Sequence, residues 1–175
     1  WVNQFEDSDN DLVVFPSTHY RRIHKKLRTN NNPNIRVVGI LKSIGLSGYI
    51  DSIVTCRVFG NSFAWRFRNI YLRILIFMYK PETIHAIEIQ HAGYLVSNIS
   101  AAPARRILTN WGSDIYYFGG MQSHQTSIRK ALTWATHYSA ECSRDYQLAR
   151  DFGFSGTELP KIPNAGGLIQ KESNM

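Results

Sequence analysis

A polar tetrad in the middle of the chain follows a short apolar run. The run Ile107–Thr109 predicts a strand buried in a parallel sheet, and Trp111-Gly112 ends it. Ser113 and Asp114 then supply side-chain oxygens where a helix or turn can begin. Ligands of open α/β sheets bind beyond the carboxyl ends of the strands, so Trp111–Asp114 is a candidate site. A turn with a helix cap explains the same residues, and spacing alone does not separate the two interpretations.

Alternating strand and helix patterns surround this tetrad. They predict an α/β fold with a Rossmann-like parallel sheet and helices on both faces. The predicted strands are Leu12–Phe15, Ile35–Leu41, Thr83–Glu88, Arg106–Asn110 and His137–Glu141. The predicted helices are Trp1–Asp7, His19–Leu27, Asn61–Tyr79, Ala92–Ile99, Gln125–Leu132 and a last one, capped by Ser143, that ends near Phe152-Gly153.

The charge is positive and unevenly distributed. Lys and Arg number 20 against 13 Asp and Glu, a net charge of +7, and Asp51 is the only carboxylate from His19 to Lys80. This asymmetry favours an anionic partner such as phosphate, nucleic acid or an acidic membrane surface. A basic, solvated face explains it equally well.

The two cysteines and the apolar runs exclude several classes of protein. Cys56 and Cys142 are too few and too far apart for a disulfide framework or a zinc site, which fits a reducing cytosol. The longest apolar run, Ile70–Tyr79, contains Arg73 and is too short to span a bilayer.

The predicted helix Asn61–Tyr79 has apolar residues on two sides. One stripe is expected to face the sheet and consists of Phe63, Phe67, Ile70, Ile74 and Met78. A second ridge, on the opposite side, consists of Trp65, Leu72 and Ile76. Either another helix covers this ridge, or it contacts a partner or a membrane surface, where Arg66, Arg68 and Arg73 suit anionic lipid.

Several segments together resemble a known family. They are Ile84–Tyr94, Thr109–Ile115, Ala140–Asp145, Phe152–Gly156 and Pro163–Gly167, in that order. Their sequence and spacing are similar to those of group 1 (family 4-like) retaining glycosyltransferases of the GT-B fold, over about Leu12 to Gly167. Such enzymes have two Rossmann-like domains facing a cleft. The resemblance implies that residues 1–160 are most of the N-terminal, acceptor-side domain and that 161–175 begin the linker to a C-terminal donor-binding domain.

The resemblance also implies candidate site residues. Acceptor or donor binding is expected from His85, Glu88, His91, Trp111, Gly112, Ser113 and Asp114, with His85 and Asp114 as possible catalytic groups. His85 matches the first position of the family's His-Ala-His pattern, with Ile87 at the third. Trp111 stands where the family often has His, which excludes proton transfer there and leaves stacking against a sugar or nucleotide.

Ordinary structural roles remain open for these residues. His85 can be a core histidine bonded to the backbone. Glu88 and His91 can be a charge at a helix start and a surface imidazole.

The expected function is transfer of a sugar from a nucleotide-sugar to a glycan or lipid-linked acceptor, in polysaccharide or cell-envelope glycan biosynthesis. No metal or other cofactor is expected, and the location is cytoplasmic, with possible peripheral contact with the inner face of the membrane. The family's first strand would precede Trp1 and its donor site would follow Met175, so the chain alone is expected to be inactive and marginally folded. The alternative is a non-catalytic α/β domain that binds a nucleotide or a polyanion. Nucleic acid is not expected, because the aromatics follow core periodicity rather than alternating with Lys and Arg on a surface.

Overall fold

The computed structural model describes residues 10–15, 35–37, 60–100 and 105–161. These residues form helices and parallel strands, which confirms the predicted α/β, Rossmann-like class. The chain divides into two compact units, residues 1–80 and 81–175. The predicted helices Trp1–Asp7 and His19–Leu27 lie outside the described residues. So does almost all of the 161–175 linker, and the domain boundary near residue 160 stays a prediction.

The first unit contains a two-stranded parallel sheet and a long helix. Strand β1 is Leu12–Val14 and strand β2 is Ile35–Val37, with Leu12 paired to Ile35 and Val14 to Val37. Both begin at the predicted residues, and the rest of the second predicted strand, 38–41, lies outside the described residues. Helix α1 is Gly60–Tyr79, as expected to within one residue.

The prediction for the two faces of α1 is wrong. Leu72 and Leu75 are buried, whereas the predicted sheet-facing residues Ile70 and Met78 are 56% and 65% exposed. Phe67 and Ile74 are exposed as well. The reason is that this helix is apolar around most of its circumference, so periodicity alone does not select the packed side. The ring of Phe15, which follows β1, lies 5.9 Å from the ring of Tyr71 and marks one contact of the helix within this unit.

The second unit is built on a four-stranded parallel sheet in the order β3-β4-β5-β6. The strands are β3 Thr83–Ile87, β4 Arg105–Thr109, β5 His137–Ser139 and β6 Thr157–Glu158. After β3 come a π-helix, Ile89–Gly93, and helix α2, Tyr94–Val96. After β4 come α3, Ser113–Tyr116, a 3₁₀ turn, Phe118–Gly120, and α4, Gln122–Trp134. Helix α5, Ser143–Asp151, joins β5 to β6.

The core of this unit lies on one face of the sheet. Ala86, Leu108 and Tyr138 alternate with residues of the other face and are almost fully buried. A Cβ at Gly93 would lie only 3.0 Å from Leu108 Cδ1, so the π-helix approaches this face closely. Tyr138 also packs edge-on against Tyr146 of α5, with the two ring centres 5.5 Å apart. The π-helix, which follows β3, and α5, which follows β5, therefore share one core.

Two further predictions need correction, and one strand was missed. The predicted helix Ala92–Ile99 is a π-helix followed by one α-turn. Ser143 does not cap α5, since Cys142 is the N-cap without a side-chain bond, and the Ser143 hydroxyl accepts from Lys161 Nζ at 2.7 Å instead. Strand β6 was not predicted, because it has only two residues and both are exposed.

The end of α5 is as predicted. Gly153 has φ +99°, and the Gly153 and Phe154 amides donate to the carbonyls of Arg150 and Ala149. This is a Schellman motif, which needs a residue that tolerates a left-handed conformation. Within the described ranges, no helix combines the length and the apolar character needed to cross a bilayer.

Candidate functional site

The turn after β4 carries the predicted tetrad. Trp111–Asp114 begins two residues after the last residue of β4, at the carboxyl end of a strand that runs parallel to β3 and β5. The predicted location is therefore confirmed. Asn110 donates its backbone amide to the Ser139 carbonyl at 2.8 Å, so the sheet continues to the start of the turn.

Asp114 joins this turn to the segment that follows β3. Its Oδ2 accepts from the backbone amides of Ile89, at 2.9 Å, and Trp111, at 3.1 Å. The side chain of Gln90 donates to the Asp114 carbonyl at 2.8 Å. Asp114 is buried, and burial raises the pKa of its carboxyl, while the two backbone hydrogen bonds act in the opposite direction. This carboxylate is a brace between two loops.

Glu88 has a strained backbone at the end of β3. Its φ is +86°, a value that residues with a side chain rarely adopt. Hydrogen bonds hold the backbone on both sides of it. The Glu88 amide donates to the Thr109 carbonyl, its carbonyl accepts from the Gly93 amide, and the next amide, that of Ile89, donates to Asp114. Strain that neighbouring contacts fix in this way is typical of functional sites.

The Glu88 side chain pairs with His91 on the surface. Glu88 Oε1 lies 3.7 Å from His91 Nε2, and the two side chains are 35% and 47% exposed. A carboxylate and an imidazole at this distance can share one polar ligand group, such as a hydroxyl. Both residues remain open to solvent at the carboxyl end of β3.

His85 lies within β3 rather than beyond it. Its Nε2 is 2.7 Å from the hydroxyl of Thr109, the last residue of β4. Burial lowers the pKa of His85, so the ring is neutral at pH 7. His85 and Asp114 therefore both adjoin the ends of β3 and β4, and their proposed catalytic roles stay predictions.

The other tetrad residues differ in exposure. Trp111 is 47% exposed, and Ser113 at the start of α3 is exposed as well. Gly112 is the N-cap of α3. The exposed indole is thus available for stacking against a ligand ring.

A hydrogen bond between the segment after β3 and α4 was not predicted. The Tyr94 hydroxyl lies 2.9 Å from His124 Nδ1 at the start of α4. Burial raises the pKa of Tyr94 to about 12, so its hydroxyl stays protonated at neutral pH and can donate to His124. No sequence pattern indicated this pair, because its members are 30 positions apart.

A second buried aspartate was also missed. Asp145, in the first turn of α5, is fully buried and accepts from Asn110 Nδ2 at 3.0 Å and from Arg144 Nε at 2.9 Å. The Arg144 guanidinium carbon lies 3.9 Å from the ring centre of Tyr116. Asn110 and Asp145 both occur in the segments that carry the family resemblance, but a sequence does not distinguish a buried aspartate from a surface one.

The segments after β3 and β4 carry an exposed aromatic ring, a carboxylate and an imidazole. Among the described residues, no group of three or more His, Cys, Asp or Glu has the geometry to hold a metal ion. Compared with protein-family models, with curated proteins and with solved structures, the chain gives no match.

Proposed function

We propose that this chain is the acceptor-side domain of a retaining glycosyltransferase. It would act in the transfer of a sugar from a nucleotide-sugar to a glycan or lipid-linked acceptor, in polysaccharide or cell-envelope glycan biosynthesis. The observation that carries the proposal is the Asp114 brace, which holds the ends of β3 and β4 together beside exposed Trp111. The family resemblance of Ile84–Tyr94 and Thr109–Ile115 supports it.

The chemistry of the transfer suits such an edge. The bond between the anomeric carbon and the diphosphate oxygen breaks, a bond to the acceptor oxygen forms, and the proton of the acceptor hydroxyl passes to the leaving diphosphate. The reacting sugar passes through an oxocarbenium-like state, so correct placement of the acceptor hydroxyl has a large effect on the rate. The nucleotide-sugar is a substrate here, and the proposal involves no metal or cofactor.

Each exposed residue has a role in this proposal. Trp111 stacks on the apolar face of an acceptor sugar. Glu88 and His91 bind its hydroxyls, since a carboxylate accepts and an imidazole can donate or accept. His85 and Asp114 are held by hydrogen bonds to neighbouring residues of the fold. In this proposal they keep the Trp111, Glu88 and His91 side chains in position.

The test uses the protein expressed from its complete reading frame, with a panel of nucleotide-sugars and glycan acceptors. We expect sugar transfer with retention of the anomeric configuration. Trp111→Ala should raise KM for the acceptor with little change for the donor. Tyr117→Ala, another exposed aromatic, is the matched control and should leave both unchanged. Binding of a nucleotide or polyanion without any transfer would favour the non-catalytic alternative.

We also propose that α1 contacts an anionic membrane surface, through the face opposite to the expected one. Its exposed apolar side chains include Phe67, Ile70, Ile74, Phe77 and Met78. Arg66 and Arg73 are exposed on the same helix, which carries three arginines and no carboxylate. Apolar side chains next to arginines match a bilayer with negative head groups. The proposal assigns the protein to the inner face of the membrane, in the cytoplasm.

Vesicle sedimentation tests the membrane contact. The protein should bind vesicles of phosphatidylglycerol and phosphatidylcholine more strongly than phosphatidylcholine alone. Phe77→Glu, at a side chain that is 79% exposed, should abolish this binding, whereas Tyr117→Glu in the other unit should not. Equal sedimentation of Phe77→Glu and the unmodified protein would refute the contact.

A further inference from the structure

We infer that Arg144 and Tyr116 form a subsite for an anionic group, a phosphate or a carboxylate, next to the proposed acceptor edge. Arg144 is the second residue of α5 and Tyr116 is the last residue of α3. The two residues follow neighbouring strands, β5 and β4, on the side of their carboxyl ends. The inference deepens the proposed function, and it rests on that function for the identity of the ligand as an acceptor.

The guanidinium of Arg144 is held in place from two directions. Nε donates to Asp145 Oδ1, and the planar group lies over the Tyr116 ring at 3.9 Å. Asp145 is itself fixed, because it is fully buried and its second oxygen accepts from the buried Asn110. A guanidinium fixed in this way loses less side-chain entropy when it binds a ligand.

The terminal nitrogens of Arg144 remain available. Within the described part of the chain, Arg144 makes its hydrogen bonds through Nε alone, and its side chain is 49% exposed. The two terminal nitrogens carry four N–H groups that match two oxygens of one phosphate or carboxylate. The contact with buried Asp145 uses only Nε–H, so the two terminal nitrogens are left for a ligand.

Tyr116 indicates what else the ligand contains. Its ring is 61% exposed although it already lies beneath a guanidinium. Trp111, five positions before Tyr116 in the chain, is exposed as well. An anionic sugar can place a ring on such aromatics and its charged group on Arg144. The ligand class is therefore a phosphorylated or acidic sugar rather than a neutral one.

The test follows the NMR resonances of the chain, including the Arg144 Nε–H signal, during titration with inorganic phosphate. The Nε–H signal and the backbone signals near Tyr116 should shift together and saturate. Arg144→Gln should weaken phosphate binding about 10- to 100-fold, because charge-assisted hydrogen bonds are lost. Arg129→Gln is the matched control, since Arg129 also lies over an aromatic ring, that of Phe152 at 5.0 Å. This variant should bind phosphate as tightly as the unmodified protein does.

A second variant keeps the test valid if Arg144→Gln does not fold. Tyr116→Ala removes an exposed ring and should weaken phosphate binding about 2- to 5-fold, the loss expected for a cation–π contact at the surface. Unchanged phosphate binding in either folded variant would overturn the inference.

Three ligands then separate this inference from the proposed function. Glucose 6-phosphate and glucuronate, which carry a phosphate and a carboxylate, should each bind more tightly than glucose. Equal binding of all three, with sugar transfer intact, would refute the subsite and leave the proposed function standing. Phosphate binding at Arg144 without any binding of sugar or any transfer would refute the proposed function and leave the subsite.

Discussion

Two buried aspartates follow neighbouring strands of the four-stranded sheet, and the fold holds them in different ways. Asp114, after β4, accepts from two backbone amides, those of Ile89 and Trp111. Asp145, after β5, accepts from two side chains, those of Asn110 and Arg144. The first aspartate therefore fixes the path of the chain in two loops, while the second fixes the direction of one cationic side chain. A carboxylate of the same type thus links two loops in one turn and orients a cationic side chain in the next.

The largest effect is expected for Asp114→Ala. It leaves the Ile89 and Trp111 amides without their acceptor in a buried place, which should lower the free energy of unfolding by about 2–4 kcal/mol. Urea unfolding at pH 7 measures this loss. A loss below that of an ordinary surface substitution would show that Asp114 is not a brace.

Asp114→Asn is the matched variant and adds a pH dependence. Burial raises the pKa of Asp114 in the folded protein above its ordinary 3.8. The folded state then holds the proton more tightly than the unfolded state, so the unmodified protein loses stability as pH rises through this window. The Asn variant does not titrate. Its deficit relative to the unmodified protein should therefore be larger near pH 4 than at pH 7.

Asp145→Ala should have a smaller effect on stability and a larger one on binding. It leaves one buried donor, Asn110 Nδ2, without its acceptor, and we expect a loss of about 1–3 kcal/mol in urea unfolding. Arg144 becomes mobile in water, so phosphate binding should weaken as well. If stability falls while phosphate binding stays the same, Asp145 has a structural role alone.

Glu88→Gly should be more stable than Glu88→Ala by about 1 kcal/mol. Glycine adopts the observed φ of +86° without strain, and alanine does not, while the flexibility of glycine when unfolded offsets part of the gain. Thermal unfolding of the two variants gives the difference. Both should lose acceptor binding, because both lack the carboxylate. An alanine variant as stable as the glycine variant would mean that Asp114 does not hold Glu88 in a strained state.

The smallest effect concerns His85. Burial lowers its pKa, so the folded protein resists protonation below the ordinary value of 6.5. Stability from this group is fully present above pH 6.5 and decreases as pH falls toward the lower folded value. His85→Gln, which can still bond Thr109, should flatten this part of the stability profile. The same slope in both proteins would assign the acid sensitivity to another group.

The strands and the tetrad could be predicted from sequence because local patterns determine them. Strands Thr83–Ile87 and Arg105–Thr109 each contain a short stretch of apolar residues followed by polar ones, and their parallel pairing follows from the helices between them. β6 could not be predicted, since its two residues pair through the backbone, with the Thr157 amide donating to the Thr136 carbonyl. The packed face of α1 depends on what lies beside the helix, and a helix that is apolar around most of its circumference does not contain that information.

The candidate site was predictable in its place but not in its construction. The polar residues after β4 were predicted to lie at the carboxyl ends of the strands, and they lie there. The Ile89 amide and its acceptor, Asp114 Oδ2, are 25 positions apart, and no spacing rule includes such a tertiary contact. Whether Glu88, His91 and Trp111 bind an acceptor stays a prediction.

The π-helix has a consequence for how this chain can gain or lose residues. The bond from the Gly93 amide to the Glu88 carbonyl spans five positions, one more than in an α-helix, so the segment contains one residue more than an α-turn would. Deleting Ala92 would let the same two groups close an ordinary α-turn, so every later residue of α2 would keep its direction. Tyr94 would still face His124, and its hydroxyl would keep the Nδ1 contact. The chain can therefore lose one residue here without moving α2, and an alignment with a sequence that forms an α-turn at this place needs a gap of one position within Ile89–Gly93.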